Sequence, residues 1–117
     1  MDIAVLSVHG HGKADEEYVL LKVSVDCELS YYALIDTTYD GEKITDKNRH
    51  VFWFPKKEVK AGDEIVLRTK VGKNSWSTAT SGRRHTLYWN LKSAVWNDTG
   101  DAATLLRLQT WKTLKVR

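Results

Sequence analysis

Four histidines, a single cysteine and a few acidic pairs are the groups in this chain with which chemistry would be done. His9 and His11 stand two apart, so on a strand they share a face, and with His50 or His85 they have the donor type for a metal. No complete ligand spacing accompanies them, and the plainer expectation is solvent-facing histidines beside the flexible Gly10 and Gly12. Asp98 and Asp101 flank Thr99 and Gly100, but the segment lacks the ligand run and bidentate Glu of a Ca²⁺ loop, so a turn is expected there. With Cys27 as the sole cysteine, an intrachain disulfide and a cysteine-rich zinc site are both excluded. Its neighbours Asp26 and Glu28 raise a thiol pKa, which points to a half-buried structural Cys rather than a nucleophile. Neither a Gly-x-Ser-x-Gly elbow, a P-loop nor a dinucleotide fingerprint occurs. The expectation is a protein without catalytic residues, cofactor or stoichiometric metal.

Groups suited to recognition are easier to find. Lys56, Lys57 and Lys60 lie in one turn, while Lys70, Lys73, Arg83 and Arg84 bracket Trp76 in a polar stretch. A polar loop is expected from Val71 to His85, with Trp76 either packed beneath it or used as a contact. Trp and Arg are enriched at protein interfaces, and an aromatic among basic residues is also how single-stranded nucleic acid is held. The excess of eighteen Lys and Arg over fifteen Asp and Glu is too small to demand an anionic partner, and Asp15, Glu16, Glu17, Asp98 and Asp101 dilute it further. An unknown protein partner is therefore the first expectation. Nucleic acid is the second, and a role as accessory domain of an enzyme complex the third; the oligomeric state stays open.

The elements that must position these residues read as strands. From Tyr18 to Val25 the odd positions Val19, Leu21, Val23 and Val25 are apolar, and Ile65, Leu67, Thr69 and Val71 alternate with Arg68 and Lys70. Weaker strands are expected at Ile3 to Val8, Tyr32 to Asp36, His50 to Phe54, Thr86 to Trp89, Ala103 to Leu108 and Trp111 to Val116. Leu91 to Trp96 is too short for a helix on its own. At 117 residues the chain suits one domain, 1–117, with one core. The expectation is an all-β, antiparallel sandwich of about seven to nine strands with Trp89, Trp96 and Phe54 inside. The N-terminus lacks the pattern of a signal peptide, and apolar residues nowhere run eighteen together, so a cytoplasmic protein with no membrane contact is expected.

Two blocks carry a family resemblance. Val51-Phe52-Trp53-Phe54-Pro55, then Val59-Lys60-Ala61-Gly62, then Ile65-Val66-Leu67-Arg68-Thr69 with Gly72 beyond, is similar to the first signature of the lamin-tail domain. Leu87-Tyr88-Trp89 followed by Trp96-Asn97-Asp98-Thr99-Gly100-Asp101 resembles the second and more specific one. With Glu17 to Lys22 and Leu29 to Leu34 upstream, the resemblance covers roughly residues 3 to 116. It implies an immunoglobulin-like sandwich that binds rather than catalyses, with Gly62 and Gly100 in tight turns. Tyr32 departs from the family's usual Trp, and Leu108 to Lys112 lacks the family's usual hairpin turn. With no heptad repeat in the sequence, an intermediate filament is not expected.

Overall fold

The structure, a computed structural model, describes the backbone of residues 1–40, 43–96 and 101–116, and the side chains of these except 38–40 and 43–49. The strands are β1 (Ile3–His9), β2 (Tyr18–Val23), β3 (Cys27–Glu28), β4 (Tyr32–Asp40), β5 (Lys43–Trp53), β6 (Glu58–Val59), β7 (Glu64–Arg68), β8 (Ser75–Ala79), β9 (Gly82–Tyr88) and β10 (Asp101–Arg107). A 3₁₀ turn at Leu29–Tyr31 feeds β4. One sheet has the order β1-β2-β7-β9-β8, a second the order β10-β4-β5, and β3 pairs with β6 as a short bridge. The all-β sandwich is thus as the alternation indicates, with one departure: β7 and β9 run parallel, Glu64 opposite Arg84 through Arg68 opposite Tyr88.

Period-2 burial explains why these segments are strands. In β2 the residues Val19, Leu21 and Val23 are buried while Tyr18, Leu20 and Lys22 lie on the other side. Ile65 and Leu67 of β7 and Leu87 of β9 continue the same inner face. A bulge in β1 between Val5 and Ser7 turns Leu6 outward and lets Val5 and Val8 both reach the core. The second sheet answers with Tyr32 and Leu34 of β4, flanked by Phe52 and Leu105.

Phe54 and Trp96 are buried, as expected, and Trp89 is half-buried with its ring 6.2 Å from Trp96 and 5.7 Å from Phe52. The irregular stretch before Trp96 is drawn inward by the buried Glu17, whose Oε1 accepts from Thr69 Oγ1 at 2.7 Å and from the Val95 amide at 2.5 Å. Gly62 has φ +96°, the left-handed conformation expected of its turn; Gly100 lies outside the described residues.

Two expectations fail. Of the stretch from Val71 to His85 only residues 71–74 form a connection; the rest is the strand pair β8–β9, closed by Thr80 and Ser81. Conversely, Trp111 to Val116 forms no strand, and Leu108 to Lys112, which lacks the family's usual hairpin turn, closes no hairpin. The alternation of Leu114 and Val116 with lysines is genuine, but β-propensity needs a neighbouring strand, and these two side chains stand in solvent. Trp111 alone returns to the body, packing edge-to-face on Tyr31 and Trp53. Among the described residues no helix is long and apolar enough to cross a membrane.

Candidate functional site

The hairpin β8–β9 is held by side chains that substitute for a longer sheet. Asn74 Oδ1 accepts from the Tyr88 amide and Asn90 Oδ1 from the Gly72 amide, each at 3.0 Å, fixing the entry to β8. At the other end Asp63, just before β7, clamps the hairpin tip. Its Oδ1 accepts from the Arg83 amide at 3.0 Å, and its Oδ2 accepts from the Lys60 amide at 3.0 Å and lies 2.9 Å from His85 Nε2. Burial alone would push the Asp63 carboxyl up, but the hydrogen bonds from Arg83, His85 and Lys60 outweigh it and hold it below the ordinary aspartate range. Gly62 and Gly82 make this close approach possible, since a Cβ on Gly62 would sit 2.3 Å from the Ser81 carbonyl oxygen and one on Gly82 2.6 Å from Asp63 Oδ1.

Register then sorts the basic residues. Trp76 lies opposite His85 and Thr78 opposite Arg83, so Trp76 and Arg83 are diagonal neighbours on one face. The Arg83 guanidinium covers the Trp76 ring at 4.2 Å from its centroid, and Trp76 is nonetheless 53% exposed. Burial beneath a loop is therefore not its condition. Arg84 points to the opposite face, 3.3 Å from Glu64. Lys70 and Lys73 sit in the connection ahead of β8, Lys73 exposed and Lys70 half-buried. In the turn with Lys56, Lys57 and Lys60, the Lys57 backbone amide donates to Glu28 Oε2 and Lys60 Nζ lies 3.6 Å from Asp26. The expected surface is thus split into a Trp76–Arg83 unit, an isolated Arg84 and a lysine turn facing acids. Asp63 joins the first and last through their backbones.

Beyond β8 the sheet has no further strand among the described residues. The two-residue turn makes Ala79 and Gly82 the closing hydrogen-bonded pair, so Trp76 and Thr78 direct their N–H and C=O groups away from β9. The sequence Ser75-Trp76-Ser77-Thr78-Ala79 carries none of the Pro, Lys or bulges that usually blunt an edge.

The histidines are dispersed. His9 stacks on Tyr18 at 4.6 Å, His11 lies in an exposed turn, His50 is 3.3 Å from the buried Asp36, and His85 belongs to Asp63. Among the described residues no three His, Cys, Asp or Glu side chains gather as a metal site; Asp98 lies outside them. Cys27 is half-buried, and burial, Asp2, Asp26 and Glu28 raise its thiol pKa against a smaller opposing effect of Arg107. Sequence reasoning missed a second exposed aromatic group, Tyr31, Trp53 and Trp111, although adjacent Phe52 and Trp53 on a strand must point to opposite faces. Neither family models, curated proteins nor solved structures give a match to the chain.

Proposed function

We propose that the chain is a non-catalytic, cytoplasmic protein-binding module of the lamin-tail type, which takes an extended segment of its partner onto the free edge of β8. The observation that carries this is the open backbone of Trp76 and Thr78 beside the Trp76–Arg83 pair. Main-chain hydrogen bonds supply affinity in strand addition, and the stacked ring and guanidinium offer a large, preorganised anchor for one partner side chain. The motif resemblance to lamin-tail domains supports the family assignment, and the all-β sandwich agrees with it. A protein partner is favoured over nucleic acid because Arg83 and Arg84 face opposite sides, Arg84 lies beside Glu64 and Lys60 beside Asp26. A partner inside an enzyme complex fits the same edge.

Selection of twelve-residue peptides displayed on phage against the whole chain is the test. Peptides bound at β8 slow amide exchange at Trp76 and Thr78. Trp76→Ala weakens them by about tenfold or more, the scale of an interface anchor, while leaving the melting temperature nearly unchanged. Thr78→Pro, which removes an outward N–H, abolishes them. Selected peptides that bind both variants as they bind the parent would place the docking surface elsewhere.

A further inference from the structure

The face of the five-stranded sheet that points away from the core carries a row of planar groups contributed by successive strands: His9, Tyr18, Arg68 and Tyr88 are cross-strand partners in turn. His9 stacks on Tyr18 with 14° between the rings, and the Arg68 guanidinium lies 5.1 Å from the Tyr18 centroid. Since β1 and β7 flank β2, the two cover opposite faces of the tyrosine. Arg68 is thereby held by stacking rather than by charge: among the described residues no carboxylate lies within ion-pair distance of it, so its N–H edge is left for a ligand. Beside it a depression of about 100 Å³ is lined by Tyr18, Leu20, Val66, Arg68, Arg84 and Thr86. Around the buried Val66 its exposed lining is mainly polar, with the Arg68 and Arg84 guanidinium groups and the hydroxyl-bearing Thr86 and Tyr18. Glu64 opposes them, at 3.3 Å from Arg84.

From this arrangement we infer a binding site for a phosphate group, with Arg68 and Arg84 as its cationic walls and the Thr86 hydroxyl as a third donor. Three donors around one small depression match the several acceptor oxygens of a tetrahedral dianion better than the two of a carboxylate. A preformed Arg68 also spares the ligand much of the cost of ordering a long side chain. Glu64 acts as an internal competitor that an incoming phosphate displaces from Arg84. The site lies on the opposite face of the sheet from Trp76 and does not depend on strand addition at β8.

The experiment is an NMR titration of the whole chain with inorganic phosphate and, in separate arms, with phenyl phosphate and a phosphoserine peptide, against sodium chloride at matched ionic strength. Saturable shifts are expected at the Tyr18, Arg68 and Thr86 amides with phosphate and not with chloride. Tighter binding of inorganic phosphate than of both esters identifies the free anion as the ligand, and the reverse order a phosphorylated partner. Arg68→Ala should weaken binding by about tenfold or more, as loss of a charge-assisted contact does. Arg68→Lys, which keeps the charge and loses the fork, falls between the two. Glu64→Gln should tighten binding by releasing Arg84. Phosphate shifts no larger than those of chloride, or an Arg68→Ala variant that titrates like the parent, would overturn the assignment; an amide spectrum like the parent's shows that the variant is folded.

Discussion

Asp63 illustrates how much of the candidate site hangs on one carboxylate. It receives the amides of Lys60 and Arg83 and meets the His85 ring, so the turn before β7 and the tip of β8–β9 share a single acceptor. A carboxyl held below its ordinary range in the folded chain contributes stability that is complete above the unfolded pKa and is lost as pH falls through the folded one. Denaturant midpoints measured from neutral pH downwards should therefore decline in acid for the parent. Asp63→Asn should start lower at neutral pH and decline less, since it has no carboxyl left to protonate. Some acid sensitivity persists in the variant, because Glu28, although burial opposes it, is also held below its ordinary range by the Ser30 and Lys57 amides. An Asn variant whose decline parallels that of the parent would show that the clamp contributes nothing through its charge. None of this is written in the local sequence, where Asp63 is one acid in a turn and its partners Arg83 and His85 come twenty residues later.

At the scale of elements, the hairpin β8–β9 depends on a close approach that only glycine permits. Gly62→Ala combines a left-handed backbone with a Cβ placed against a main-chain oxygen, and should cost about 2 kcal/mol or more. Because the clash is with Ser81, amide exchange should accelerate first in β8 and β9, and a uniform acceleration across both sheets would contradict a local origin. Strands β2 and β7 were legible because each buries one full face, which writes an apolar residue at every second position. Strand β8 was not: an edge strand whose side chains are nearly all exposed has no reason to alternate, and Ser-Trp-Ser-Thr-Ala resembles a loop. The opposite error befell Trp111 to Val116, where the alternation exists and the neighbouring strand does not. Trp76 was identifiable as a contact candidate, whereas its pairing with Arg83 and the separation of Arg84 follow from register, which a single polar stretch does not specify.

For the whole molecule, the two sheets are joined by large side chains between them, Trp96 foremost. Trp96→Ala should cost about 3–5 kcal/mol, measured by chemical denaturation, and a loss under about 0.5 kcal/mol would show that the segment before residue 97 is peripheral. The same connectivity has a bearing on synthesis. Strand β4 lies between β5 and β10 in the smaller sheet, with Tyr32 opposite Arg107 and Leu34 opposite Leu105. At about 5–20 residues per second, roughly 3–13 s separate the translation of Asp40 from that of Arg107. During that interval the nascent chain can form the β4–β5 hairpin but not close its other side, and a row of unpaired amides stands beside the apolar Tyr32 and Leu34. On a crowded polysome the neighbouring nascent chains present the same half-finished hairpin, and a holdase chaperone that shields it until β10 emerges would decide the yield of folded protein.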